Sequence, residues 1–146
     1  MTISVFQWRT NLIYEIPFGY THTLIWTLLE SAKLSSEAAS AIYDGSNTIY
    51  VSPIAFWEIC MKIACGNLCL GDIRPESLPQ VCQDCGFELL TLDADDASTF
   101  HELAGNHHKD PFDRILIWQS IRHDLNFITN DKNILKYISE GLSVVW

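Results

Sequence analysis

The stretch NTIYVSPIAFWEICMKIACG, residues 47–66, holds a complete strand-then-helix unit. Thr48 to Val51 are β-branched or aromatic at all four positions, which predicts a strand. Ser52 can then cap the first free N–H groups of a helix. Pro53 suits the first helical position, where its missing N–H leaves no bond unmade. Apolar residues recur from Ile54 to Cys65, and Gly66 supplies the stop.

The same rhythm extends in both directions. Upstream, residues 20–30 read as a helix after a short strand, and LSSEAASAIYDG as a helix capped by Ser35 and closed by Gly45. Downstream, PESLPQVCQDCG predicts a short helix ending at Gly86, FELLTL a strand, and DADDASTFHELAG a helix capped by Asp93 or Asp95. After the loop NHHKDP, a helix is expected from Phe112 to about His123. NFIT then reads as a strand, DKNILKYI as a helix and LSVVW as a terminal strand. Short strands alternating with helices imply a mostly parallel sheet covered on both faces. Ligands of such sheets gather at the carboxyl ends of the strands.

The chain has 146 residues, 48% hydrophobic and 18% charged, the profile of one folded domain. No apolar run reaches the ~18 residues of a membrane span, and the start lacks the order of a signal peptide. The net charge of −9 argues against a broad electrostatic grip on duplex nucleic acid. It suits a basic partner, or divalent cations held by carboxylates. The cysteines, Cys60, Cys65, Cys69, Cys82 and Cys85, cluster in the middle third, as reduced thiols of a cytoplasmic protein would. Cys82 and Cys85 have a metal or redox spacing, but no second such pair accompanies them, and small buried core residues are the expectation.

Three acids stand where acids are uncommon. Positions 54, 58, 61 and 65 share a helix face, so Glu58 falls in an apolar stripe with Ile54, Met61 and Cys65. An i, i+4 pair with Lys62 is its structural explanation. Asp113 heads the core-facing stripe of Leu116, Ile117, Ser120 and Ile121, where the helix dipole favours a carboxylate. Asp110 and Arg114 are spaced to pair on the solvated face. Asp131 follows the strand NFIT and is a good N-cap at a strand's carboxyl end. Carboxylates brought together repel, and the usual compensation is a divalent metal that positions and ionises a water for attack on a phosphodiester.

The segments THTLIW, VSPIAFWEICMKIACGNLCL, HHKDPFDRILIWQS and LNFITND follow one another with the order and spacing of PIN-domain proteins. The chain resembles most closely the VapC-type toxins of bacterial toxin–antitoxin pairs, over roughly residues 18–146, with residues 1–17 an atypical N-terminal segment. The resemblance implies a PIN-like three-layer α/β/α sandwich with a central mostly parallel sheet. It implies a Mg²⁺- or Mn²⁺-dependent endoribonuclease acting on single-stranded or loop RNA in the cytoplasm. It also implies a homodimer silenced by a cognate antitoxin. Carried over by position, Glu58, Asp113 and Asp131 are catalytic metal ligands, and Thr21, Asp110, Arg114 and Thr129 line the site.

One position departs from the pattern. The family's first acid falls at Tyr20, and a phenol neutral at pH 7 is a poor ligand for a hard cation. Glu15 does not replace it, being about 16 Å away along a strand and on the other side. Pro17 is also unfavourable inside a central parallel strand. The resemblance therefore admits either an impaired nuclease or an inactive PIN fold that binds an antitoxin or scaffolds a complex. Among the histidines, His22 reads as a structural residue beside the site, and His107 and His108 as loop residues that touch either RNA or nothing.

Overall fold

The computed structural model describes residues 13–16 and 21–146. Five strands form one sheet: β1 (Ile13–Ile16), β2 (Thr48–Val51), β3 (Glu88–Leu89), β4 (Asn126–Ile128) and β5 (Ser143–Val145). Their order is β3-β2-β1-β4-β5, and every pairing is parallel. Seven α-helices connect or flank them among the described residues: α1 (Thr21–Leu29), α2 (Ser36–Tyr43), α3 (Pro53–Ala64), α4 (Leu78–Asp84), α5 (Ala94–Thr99), α6 (Pro111–Arg122) and α7 (Lys132–Leu135).

The expected α/β/α layering follows from the direction of the connections. From β1 to β3 the chain moves one way across the sheet, and from β3 to β5 it returns the other way. Right-handed crossovers place those two sets of helices on opposite faces. Accordingly α1 packs against α3, and α5 against α6. Between β1 and β4 the connections leave in opposite directions, so a crevice opens at the carboxyl ends of these two strands. Ile49 and Val51 are buried on one face of β2, with Thr48 and Tyr50 half-buried on the other, and the consecutive Phe127 and Ile128 are buried on both faces of β4. Leu24, Ile59, Leu116, Ile117 and Ile134 fill the space between sheet and helices.

The helix starts agree with the sequence. Ser35 accepts from the Ala38 N–H at 3.0 Å, and Ser52 from the Ile54 N–H at 3.3 Å. Asp93, and not Asp95, caps α5 through the Asp96 N–H. Elsewhere the extents differ. FELLTL shrinks to Glu88–Leu89 because β3 is an edge strand with only Tyr50 and Val51 of β2 to pair with. DKNILKYI is α-helical only to Leu135, then tightens into a 3₁₀ turn over Lys136–Glu140. Gly141 closes that turn at φ 103°, a left-handed conformation that favours glycine.

The central strand, β1, lies ahead of Pro17 and within the stretch set apart above as residues 1–17, and it pairs with both β2 and β4. The proline therefore does not interrupt it. The cysteines also differ from expectation: only Cys82 is buried, and Cys60, Cys65, Cys69 and Cys85 are exposed. Burial, with a smaller push from Cys85, raises the Cys82 thiol to about 12. Such a thiol stays protonated, which disfavours it as a zinc ligand or redox nucleophile.

Candidate functional site

Glu58 projects from the second turn of α3 and is only 9% exposed. Its face differs in part from the predicted stripe. Ile54 and Glu58 are buried, whereas Met61 and Cys65 are exposed although the helix turns them to the same side. The cover over α3 thus runs out after its second turn. A pocket of about 240 Å³ opens there, lined by Glu58, Met61, Lys62, Cys65, Asn67, Asp110 and Phe112. Lys62 Nζ meets Glu58 Oε1 at 2.7 Å, the i, i+4 pair that the spacing suggested. The other oxygen, Oε2, is buried with no hydrogen-bond partner among the described residues. Burial raises the Glu58 pKa, the Lys62 ammonium lowers it, and the Asp110 charge adds a smaller upward push.

Asp113 sits in the first turn of α6 and is 2% exposed. Its Oδ1 is likewise buried without a hydrogen-bond partner. Burial first, and then the charges of Asp110, Glu58 and Asp131, push its carboxyl up to about 8. That Glu58, Asp110 and Asp131 all act on Asp113 places the four carboxylates in one neighbourhood. The local sequence explains how. Trp57 and Phe112, each one residue before an acid, meet edge to face with centroids 4.8 Å apart, which ties α3 to α6 beside Glu58 and Asp113.

Asp131 caps α7 through Oδ1, which accepts from the Asn133 and Ile134 N–H groups. Its own N–H donates to Oγ1 of the fully buried Thr129 at 3.1 Å, so Thr129 orients the turn after β4. Asp110 caps α6, accepting from the Phe112 N–H at 2.9 Å. The expected Asp110–Arg114 pair is not what Arg114 makes. Its Nη1 donates instead to the Tyr137 hydroxyl at 2.8 Å and to the Gly105 carbonyl at 3.0 Å. Tyr137 is fully buried, and its hydroxyl also accepts the backbone N–H groups of His107 and His108. Arg114 and Tyr137 thus shape the 105–110 loop and do not face the acids as a charge pair. Tyr20 lies outside the described residues, as does the side chain of Thr21.

The residue that sequence reasoning undervalued is His108. Its Nε2 lies 3.1 Å from Asp113 Oδ2 and 3.6 Å from Asp131 Oδ2. No spacing rule links position 108 to 113 and 131; only the turn at Asp110 and the end of β4 bring them together. His22 is exposed and stacks on Trp26 at 5.7 Å, with its pKa lowered by partial burial and then by Lys62 and Lys33.

Among the described residues, the potential ligand atoms that converge within 4.8 Å belong to another group, Asp93, Asp96 and His123. Asp96 there is fully buried and already satisfied by Arg122 Nη1 at 2.8 Å, His123 Nε2 at 3.0 Å and Gln119 Nε2 at 3.1 Å. It fastens α5 to α6 and needs no cation. The orphaned oxygens are at the other site. Buried carboxylate oxygens without donors cost several kcal/mol unless a proton or a cation serves them, and an oxygen-only donor set suits Mg²⁺ or Mn²⁺.

The family model for the PIN domain matches residues 21–139. No curated protein sequence matches the chain. Among solved structures, the chain is similar to one described as VapBC2 from Rickettsia felis bound to a DNA fragment from their promoter. The TM-score is 0.59 with 14% identity, and the match covers 91% of this chain and 97% of that one. None of the described helices is long and apolar enough to cross a membrane.

Proposed function

The chain belongs to the PIN-domain family, and on that footing we propose that it is a VapC-like endoribonuclease cleaving single-stranded or loop RNA with Mg²⁺ or Mn²⁺. The observation that carries the proposal is the pair of buried oxygens, Glu58 Oε2 and Asp113 Oδ1, that have no hydrogen-bond partner among the described residues. Glu58, Asp113 and Asp131 would hold the cation. Bound there, it would supply Lewis-acid charge and an ionised water for attack on a phosphodiester. The chain's own residues do the rest. α3 and α6 fix two carboxylates in a largely dry setting, and Thr129 and the α7 cap set the third. Lys62 offsets part of the negative field that a phosphate would meet.

The described toxin–antitoxin neighbour supports a cognate antitoxin as the regulating partner, and homodimerisation in the cytoplasm completes the reading. Tyr20 in place of a first carboxylate sets the expected rate. Losing one of four ligands removes transition-state charge stabilisation, so cleavage by the unchanged chain is slow. The test uses Mn²⁺ and a single-stranded RNA. Tyr20→Asp raises the rate at least ~10-fold, about 1.4 kcal/mol of barrier. Brisk cleavage that survives Glu58→Ala defeats the metal-site reading. No cleavage by Tyr20→Asp at high Mn²⁺, with retained antitoxin binding, favours the inactive binding module instead.

A further inference from the structure

We propose that His108 is a displaceable place-holder in the acidic site: its Nε2–H faces Asp113 with Asp131 close by, and a divalent cation enters by turning the ring out. The inference rests on the metal reading above and concerns what the cation must displace.

The protonation pattern of the ring decides between two roles. His108 Nδ1 accepts the backbone N–H of Asp110 at 3.2 Å. An acceptor at Nδ1 leaves Nε2 as the ring's protonated nitrogen. That nitrogen faces Asp113 Oδ2 at 3.1 Å, with Asp131 Oδ2 at 3.6 Å within electrostatic reach but beyond hydrogen-bond distance, so its N–H is turned towards carboxylates. A metal-bound imidazole shows the opposite arrangement, with its far nitrogen donating to an acceptor. Here the far nitrogen meets a donor. His108 therefore serves the carboxylates as a cation would, and does not serve a cation as a ligand.

The surroundings also let it leave. The backbone of the loop is held by Tyr137, whose hydroxyl accepts the His107 and His108 N–H groups at 3.2 and 3.3 Å. The imidazole itself is 16% exposed, so one edge already reaches solvent. A rotation about the side-chain torsions frees both carboxylates while the loop stays in place. What is given up is the Asp110 N–H hydrogen bond and the close approach of Nε2 to the two acids. The ring thus lowers the apparent affinity of the site for metal, because binding must include this displacement.

Mn²⁺ affinity is measured by calorimetry on the wild-type chain and on His108→Ala, with thermal unfolding confirming that the variant folds. His108→Ala is expected to bind Mn²⁺ at least ~5-fold more tightly, since the ring no longer has to leave Asp113 and Asp131 before the cation binds. Equal affinity overturns the place-holder, and weaker binding assigns His108 as a ligand instead. A second measurement needs no variant. In the wild-type chain labelled with ¹⁵N-histidine, Mg²⁺ saturation should abolish the hydrogen-bonded Nε2–H signal of His108; a signal unchanged at saturation overturns the proposal. If neither chain binds Mn²⁺ at millimolar concentration, the metal reading itself falls, which is distinct from equal binding by both.

Discussion

Asp113→Asn isolates the energetic signature of the site without any substrate. In the folded chain burial and neighbouring carboxylates raise Asp113 from 3.8 to about 8. A carboxyl whose folded pKa lies above its unfolded value binds its proton more tightly when folded. Its contribution to stability is fully present below about pH 4 and is lost as pH rises towards 8, beyond which it changes no further. Each unit corresponds to ~1.36 kcal/mol, so between about pH 5 and pH 8 the wild type should lose ~4 kcal/mol that Asp113→Asn keeps. Asparagine preserves shape, and its carbonyl can still accept from His108. Other titrating groups are common to both proteins and cancel in the difference. Urea unfolding in EDTA, at a series of pH values across that span, gives the two curves. The gap should widen with pH in favour of the variant. A gap that stays constant within ~1 kcal/mol refutes the claim that burial and neighbouring acids hold the Asp113 carboxyl well above its ordinary pKa.

Two further substitutions test the supports of the site. Asp96→Ala leaves Arg122, His123 and Gln119 without their buried acceptor and should destabilise by ~3–5 kcal/mol. Added Mn²⁺ should not change that figure in denaturant titrations, because the group is structural; a Mn²⁺-dependent figure contradicts the assignment. Gly105→Ala places a methyl against the Glu140 carboxylate and 2.8 Å from His107 Nε2, at φ +74°. The left-handed backbone alone costs ~1–2 kcal/mol, and thermal unfolding should show at least that loss.

Much of the fold was legible because its signals are local. Ser52-Pro53 before an apolar run, Ser35 and Asp131 at helix starts, and β-branched strands depend on neighbours within a turn or two. The extents of FELLTL and DKNILKYI were not, since they depend on how much of β2 remains to pair and on how tightly the last helix must close on Gly141. The exposed Met61 and Cys65 show the same limit: helix angle assigns a face, and only packing says how far along it the cover reaches.

The candidate acids divide along that line. Sequence periodicity and the family pattern by themselves selected Glu58, Asp113 and Asp131, because each sits where a carboxylate is out of keeping with its helix face or follows a strand end. Tertiary structure alone decided that Glu58 Oε2 and Asp113 Oδ1 lack partners, that Arg114 turns away to Tyr137, and that His108 stands between Asp113 and Asp131. Apart from the local Glu58–Lys62 pair, these partnerships are set by distance in space between separate elements of the chain, and no spacing in the sequence encodes them.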